Sequence, residues 1–119
     1  MNQTLPKRER LSGRTAVSTL MKKGRWGTAG CLKYCFLSPG GDEVTRIMVS
    51  VSKRSFKRAV KRNLLKRRLR ESYRTQKDLL GAASPIDLML AYNSKEVLDY
   101  QVIREDVANI LKRLGETAS

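Results

Sequence analysis

The chain has 119 residues, with 25 Lys or Arg against 11 Asp or Glu, for a net charge of +14. That length fits one domain spanning residues 1–119, and an apolar fraction of 40% argues for a folded core rather than global disorder. No stretch nears the roughly 20 apolar residues that cross a bilayer, and the start MNQTLPKRER has no apolar run of a secretory signal, so the expected location is cytoplasmic, with no membrane partner.

Residues 1–10 read as irregular and basic. Ser12 is placed to cap a helix running to Lys23, with Ala16, Val17, Leu20 and Met21 at helical spacing. Gly24, Gly27 and Gly30 break it, leaving room for a short strand near Arg25. Residues 31–37 (CLKYCFL) read as a strand, SPGGDE as a turn in which Gly40 and Gly41 can take positive φ, and residues 44–51 (VTRIMVSV) as the next strand. These two strands are expected to pair as an antiparallel hairpin.

A helix is expected over 55–76, free of Gly and Pro, with Leu65, Leu69 and Tyr73 seating it on the core. GAASP (81–85) ends it, and residues 86–92 (IDLMLAY) read as a further strand. Asp99 is placed to cap a last helix whose apolar stripe is Val102, Ile103, Val107, Ile110, Leu111 and Leu114, with Gly115 as its C-cap. The expected class is α+β: a single-domain α/β sandwich, helices packed on one mixed sheet of about four strands.

Half of the residues from 53 to 74 are Lys or Arg, and Glu71 is the single acid there, so this segment carries +10. The cations are Lys53, Arg54, Lys57, Arg58, Lys61, Arg62, Lys66, Arg67, Arg68, Arg70 and Arg74. On a helix Arg62, Lys66, Arg70 and Arg74 form one ridge of like charges that repel in isolation. A polyanion relieves that repulsion, and a nucleic acid is the obvious one. A solvated charged face is the alternative, but almost no i, i+4 acids are present to support it. Asn63, beside the ridge, suits either a polar contact to nucleic acid or plain exposure.

Tyr34 either stacks on an unpaired base or belongs to the core, and its parity with Leu32 and Phe36 supports the latter equally well. Trp26, in KKGRWG, is open to the same two readings. Cys31 and Cys35 are expected on one face of a strand as reduced, buried thiols. With no third thiol and no histidine they do not complete a structural zinc site. The absence of histidine also removes the commonest general base, and the acids form no metal-nuclease motif.

The run KRAVKRNLLKRRLRESYR (57–74) resembles the protein-component family of bacterial ribonuclease P. The matching pattern is Ala59, Val60, Arg62, Asn63, Lys66, Arg67 and Arg70, and LPKRERL (5–11), KKG (22–24) and SVSKR (50–54) extend it. The resemblance implies a partner of a catalytic RNA that removes the 5′ leader of precursor tRNA. Mg²⁺ would sit in the RNA active site, with no catalytic residue and no metal ligand from the protein, which would be monomeric within the ribonucleoprotein. It implies a long basic helix in a strand-helix-strand crossover of left-handed sense. It also implies RNA contacts at Arg62, Asn63, Lys66, Arg67 and Arg70, with Lys53 and Arg54 near the RNA, and a leader cleft lined by Tyr34, Val17 and Met21; the charge pattern adds Lys57, Arg58, Lys61 and Arg74 as RNA-binding residues. Leu64 stands where the family often has Arg, and Val17 and Met21 where it often has Phe. A ribosomal or other structural RNA-binding protein is the alternative reading.

Overall fold

The strand Asp87–Tyr92 (DLMLAY) is buried at every position but Ala91. Near-continuous apolar burial means a strand covered on both faces, and this one lies inside the sheet. The computed structural model describes residues 7–81 and 85–118. Its sheet contains β1 (Arg25–Ala29), β2 (Leu32–Leu37), β3 (Arg46–Ser50) and β4 (Asp87–Tyr92), in the order β1-β2-β4-β3. β2 pairs antiparallel with β1 and with β4, and β3 pairs parallel with β4. The sheet is therefore mixed, as expected.

Three α-helices complete the fold: α1 (Arg14–Lys23), α2 (Ala59–Arg74) and α3 (Tyr100–Ala118). α2 connects the parallel pair β3 and β4, which is the expected strand-helix-strand crossover. Alternation along the strands splits the core into two layers. Leu32, Tyr34, Phe36, Leu88, Leu90 and Tyr92 pack with Leu65, Leu69 and Tyr73 of α2 and with Ile103, Val107, Ile110, Leu111 and Leu114 of α3. On the other face Cys35 and Met89 meet Leu20 of α1 and Leu11. The chain reaches that face through a bridge at the outer edge of β3, where the Leu11 N–H donates to Ile47 O at 2.8 Å.

Several local expectations need correction. The hairpin between β2 and β3 does not form, because β4 inserts between them. β4 brings apolar side chains to both layers, so the central place buries more surface than a direct β2–β3 pairing. Gly40 and Gly41 do not take positive φ. Gly40 is needed for close approach, since a Cβ there would lie 2.8 Å from the Asp87 nitrogen. Helix α1 begins after Gly13, with no side-chain cap from Ser12. Gly115 lies inside α3, where a Cβ would come 3.0 Å from the carbonyl oxygens of Leu79 and Leu80. It lets α3 seat against the 3-10 turn Lys77–Leu80. The first six residues and Ala82, Ala83 and Ser84 of the GAASP segment lie outside the described residues.

The cysteines also part company. Cys35 is buried beside α1, its Sγ donating to Leu20 O at 3.4 Å. Cys31 precedes the strand, after the turn at Gly30 (φ 55°), and enters the α2–α3 layer. Its N–H donates to Asp106 Oδ2 at 2.9 Å. Burial, and then a hydrogen bond to the Asp106 carboxylate, push the Cys31 thiol from 9.0 to about 12. A pKa raised in the folded state means stability is complete below pH 9.0 and falls as pH climbs towards 12. Urea titrations at a series of alkaline pH values should show wild type losing stability more steeply than Cys31→Ala across that window.

At the other end of the sheet Asp87, 3% exposed, accepts from Arg46 Nε at 3.0 Å, Arg46 Nη2 at 2.9 Å and Gly41 N at 3.1 Å. This carboxylate ties the 38–45 connection to the start of β4. Removing one member of a buried pair leaves the other charge stranded. Asp87→Ala is expected to cost about 3 kcal/mol in urea unfolding. A loss below about 1 kcal/mol, the scale of an exposed pair, would refute this role.

Candidate nucleic-acid interface

Helix α2 turns Leu65, Leu69, Ser72 and Tyr73 inward. Asn63, Arg67 and Arg70 are exposed, and Lys66 is half-exposed. The helix starts at Ala59 rather than at residue 55, because Phe56 is a core residue. Its ring is 5.8 Å from that of Tyr92, and it is only 5% exposed. Pulling Phe56 inward makes residues 51–58 a loop, whose Lys53, Arg54, Lys57 and Arg58 all point to solvent. Lys61, in the first turn of α2, is exposed beside them. Arg58 is extended and gives α2 no side-chain cap, so the positive end of the helix dipole lies among these cations.

The arginines divide into two groups. Arg62 Nη1 donates to the carbonyls of Phe56 at 2.7 Å and Lys57 at 2.9 Å, clamping the loop onto the helix. Arg68, outside the expected contact set, donates from Nη1 to Leu98 O at 2.6 Å and ties α2 to the segment before α3. Arg74 pairs with Glu71, which lies below its ordinary pKa because of that hydrogen bond. These three have partners within the protein. Arg70 differs: burial, and then the nearby Arg10 guanidinium, lower its pKa. Arg10 and Arg70 line a cleft of about 240 Å³ together with Ser12, Met48 and Val49. Two like charges held this close favour an anion between or beside them.

The expected cleft residues do not come together. Val17 and Met21 lie on α1, in a groove with Arg14, Ser18 and Lys22. Tyr34 lies in the layer on the other side of the sheet, 5% exposed, and Arg113 Nη1 donates to its hydroxyl at 3.0 Å. Strand parity separates them: β2 turns Lys33 and Cys35 towards the α1 side and Tyr34 away. Tyr34 is thus a core residue and does not line the cleft. The residue missed on the α1 side is Lys33, and Trp26, open to two readings in the sequence, joins it there. They share that face because Trp26 pairs with Cys35, and Thr28 with Lys33, across β1 and β2. The register that reveals this follows from strand boundaries that the glycine-rich stretch 24–30 obscures.

Among the described residues no three His, Cys, Asp or Glu side chains converge as a metal site would need. The architecture and charge define a small α/β sandwich with an acid-poor cationic helix and loop on one side of its sheet and a basic, partly apolar helix on the other. The chain belongs to the ribonuclease P family, whose model, described as Ribonuclease P, matches residues 5–115. It is similar to the ribonuclease P protein component of Picosynechococcus sp. (30% identical over 107 residues, 90% of each chain). It is also similar to that of Porphyromonas gingivalis strain W83 (38% identical over 79 residues, 65% of this chain). The matched region spans 58% of the Porphyromonas protein. The fold superposes on the ribonuclease P protein of Thermotoga maritima with a TM-score of 0.76 at 27% identity, covering 89% of this chain and 97% of the other.

The clamp at Arg62 has a direct readout. Arg62→Ala should release the 51–58 loop at a cost of about 1 kcal/mol, and tryptic cleavage after Lys53, Arg54, Lys57 and Arg58 should accelerate. Unchanged cleavage rates at those four bonds would show that Phe56 alone holds the loop.

Proposed function

We propose that this chain is the protein subunit of ribonuclease P, binding a catalytic RNA and the 5′ leader of precursor tRNA to promote leader removal. The observation that carries the reading is the exposed, acid-poor surface of α2 and the 51–58 loop, in a chain whose family match covers residues 5–115. Lys53, Arg54, Lys57, Arg58, Lys61, Asn63, Lys66, Arg67 and Arg70 face the RNA in this reading. Arg62 acts chiefly through the loop it clamps, and Arg74 is shared with Glu71. The leader lies on the opposite side of the sheet, along Val17 and Met21 of α1.

The protein's own contribution is electrostatic and positional. Lys and Arg displace counterions from phosphates, so folded RNA segments approach each other at lower Mg²⁺. Arg62 keeps the loop cations in register with those of α2. Hydrolysis needs a metal-activated water, which in this reading belongs to the RNA. No step is assigned to a protein-bound ion. One monomer per ribonucleoprotein and a cytoplasmic location belong to the same proposal. Among the described residues no helix is long and apolar enough to cross a membrane.

Reconstitution tests the proposal. Added to a bacterial ribonuclease P RNA at low Mg²⁺, the chain should accelerate cleavage of precursor tRNA, and alone it should cut nothing. Cleavage by the polypeptide without RNA would refute it, as would no stimulation. Lys66→Ala with Arg67→Ala should weaken RNA-subunit binding and reduce the slope of log affinity against log salt by about one for each phosphate that is no longer neutralised. A slope equal to wild type would remove α2 from the RNA interface.

A further inference from the structure

Trp26 is the only tryptophan in the chain, and 45% of it is exposed. It sits on β1, an edge strand whose one sheet neighbour is β2. A ring of this size is usually well buried on average. The sheet register pairs it with Cys35, so it points to the face that α1 covers, where Lys33 also projects. Lys33 Nζ lies 4.9 Å from the centre of the indole, within cation–π range. Met21, in the last part of α1, is 46% exposed. Lys22 and Lys23, at the end of α1 and three or four residues before Trp26, are exposed. No acid occurs in the sequence between Glu9 and Asp42.

The occupant of such a site must bring a flat apolar surface and negative charge together. A nucleotide of an unpaired strand does both, since its base stacks on an aromatic ring while its phosphate meets a cation. Paired RNA does not fit, because stacking within the helix covers the faces of its bases. We propose that Trp26 is a stacking platform for an unpaired nucleobase, with Lys33 as the phosphate partner, at the β1 edge of the face crossed by α1. Assigning that strand as the tRNA leader rests on the ribonuclease P reading; the platform itself rests on the exposed ring, its register and its cationic surroundings.

The single tryptophan makes the test direct. Titration of the full chain with an oligoadenylate of about ten nucleotides, within the usual footprint of single-strand binders, should quench indole fluorescence saturably and at lower RNA concentration in low salt. Trp26→Ala should weaken binding of the labelled oligonucleotide on the order of tenfold by anisotropy, and Trp26→Phe should restore most of it. Fluorescence unchanged at saturating RNA, or equal affinities for wild type and Trp26→Ala, would overturn the platform and leave the ring as an edge cover or a protein contact. The wild-type titration needs no variant, so a folding defect in Trp26→Ala does not blunt the test. Failure of the two readings is separable: wild-type stimulation of precursor cleavage without quenching removes only the platform, whereas quenching without stimulation removes only the subunit assignment.

Discussion

Burial of β4 on both faces is the constraint from which the remaining arrangement follows. Leu88 and Leu90 need cover from α2 and α3, while Met89 needs cover from α1 and Leu11. Apolar layers on both sides of one strand force helices onto both sides of the sheet. The basic helix α2 and the basic helix α1 are thereby held on opposite faces, while Arg10 comes round beside Arg70. A chain of this charge could not place both sets of cations on one face without severe self-repulsion. The fold spaces them and leaves each able to meet its own stretch of polyanion.

Much of this is legible in the sequence. The positions of β2, β3, β4 and α3 follow from apolar periodicity, and the proposed function follows from the run of bases and its resemblance to a family. The errors come from effects that periodicity does not encode. Phe56 reads as one more residue of a basic helix, yet its packing on Tyr92 opens residues 51–58 into a loop. Strand order is misread when the sequence neighbour β3 is favoured over β4, whose side chains are buried on both faces. Tyr34 enters the cleft by analogy with a family, whereas its parity with Leu32 and Phe36 leaves the core reading open and the structure places it there. Trp26 stays open in the sequence, since its face is fixed only by the β1–β2 register.

Arginine content alone also overstates the surface available to RNA. Arg46, Arg62, Arg68 and Arg113 each donate to oxygen atoms within the protein. A guanidinium suits this work because its planar fork reaches two acceptors at once, as Arg62 does at consecutive carbonyls. Lysine has no such geometry, and Lys53, Lys57 and Lys61 remain at the solvent edge. In this chain the two kinds of cation are not equivalent: arginine often serves the framework as well as the partner.

The Phe56 anchor and the Arg62 clamp have a thermodynamic consequence. Loops rich in Lys and Arg usually move freely and lose conformational entropy when a ligand orders them. Residues 51–58 are instead fixed at both the ring of Phe56 and the carbonyls beside it before any RNA arrives. In the proposed complex, docking on this side is therefore rigid-body in character, with the backbone preorganised and only the tips of the long side chains left to settle. Association of that kind carries the small heat-capacity change of two finished surfaces meeting, rather than the large one of a segment that folds as it binds.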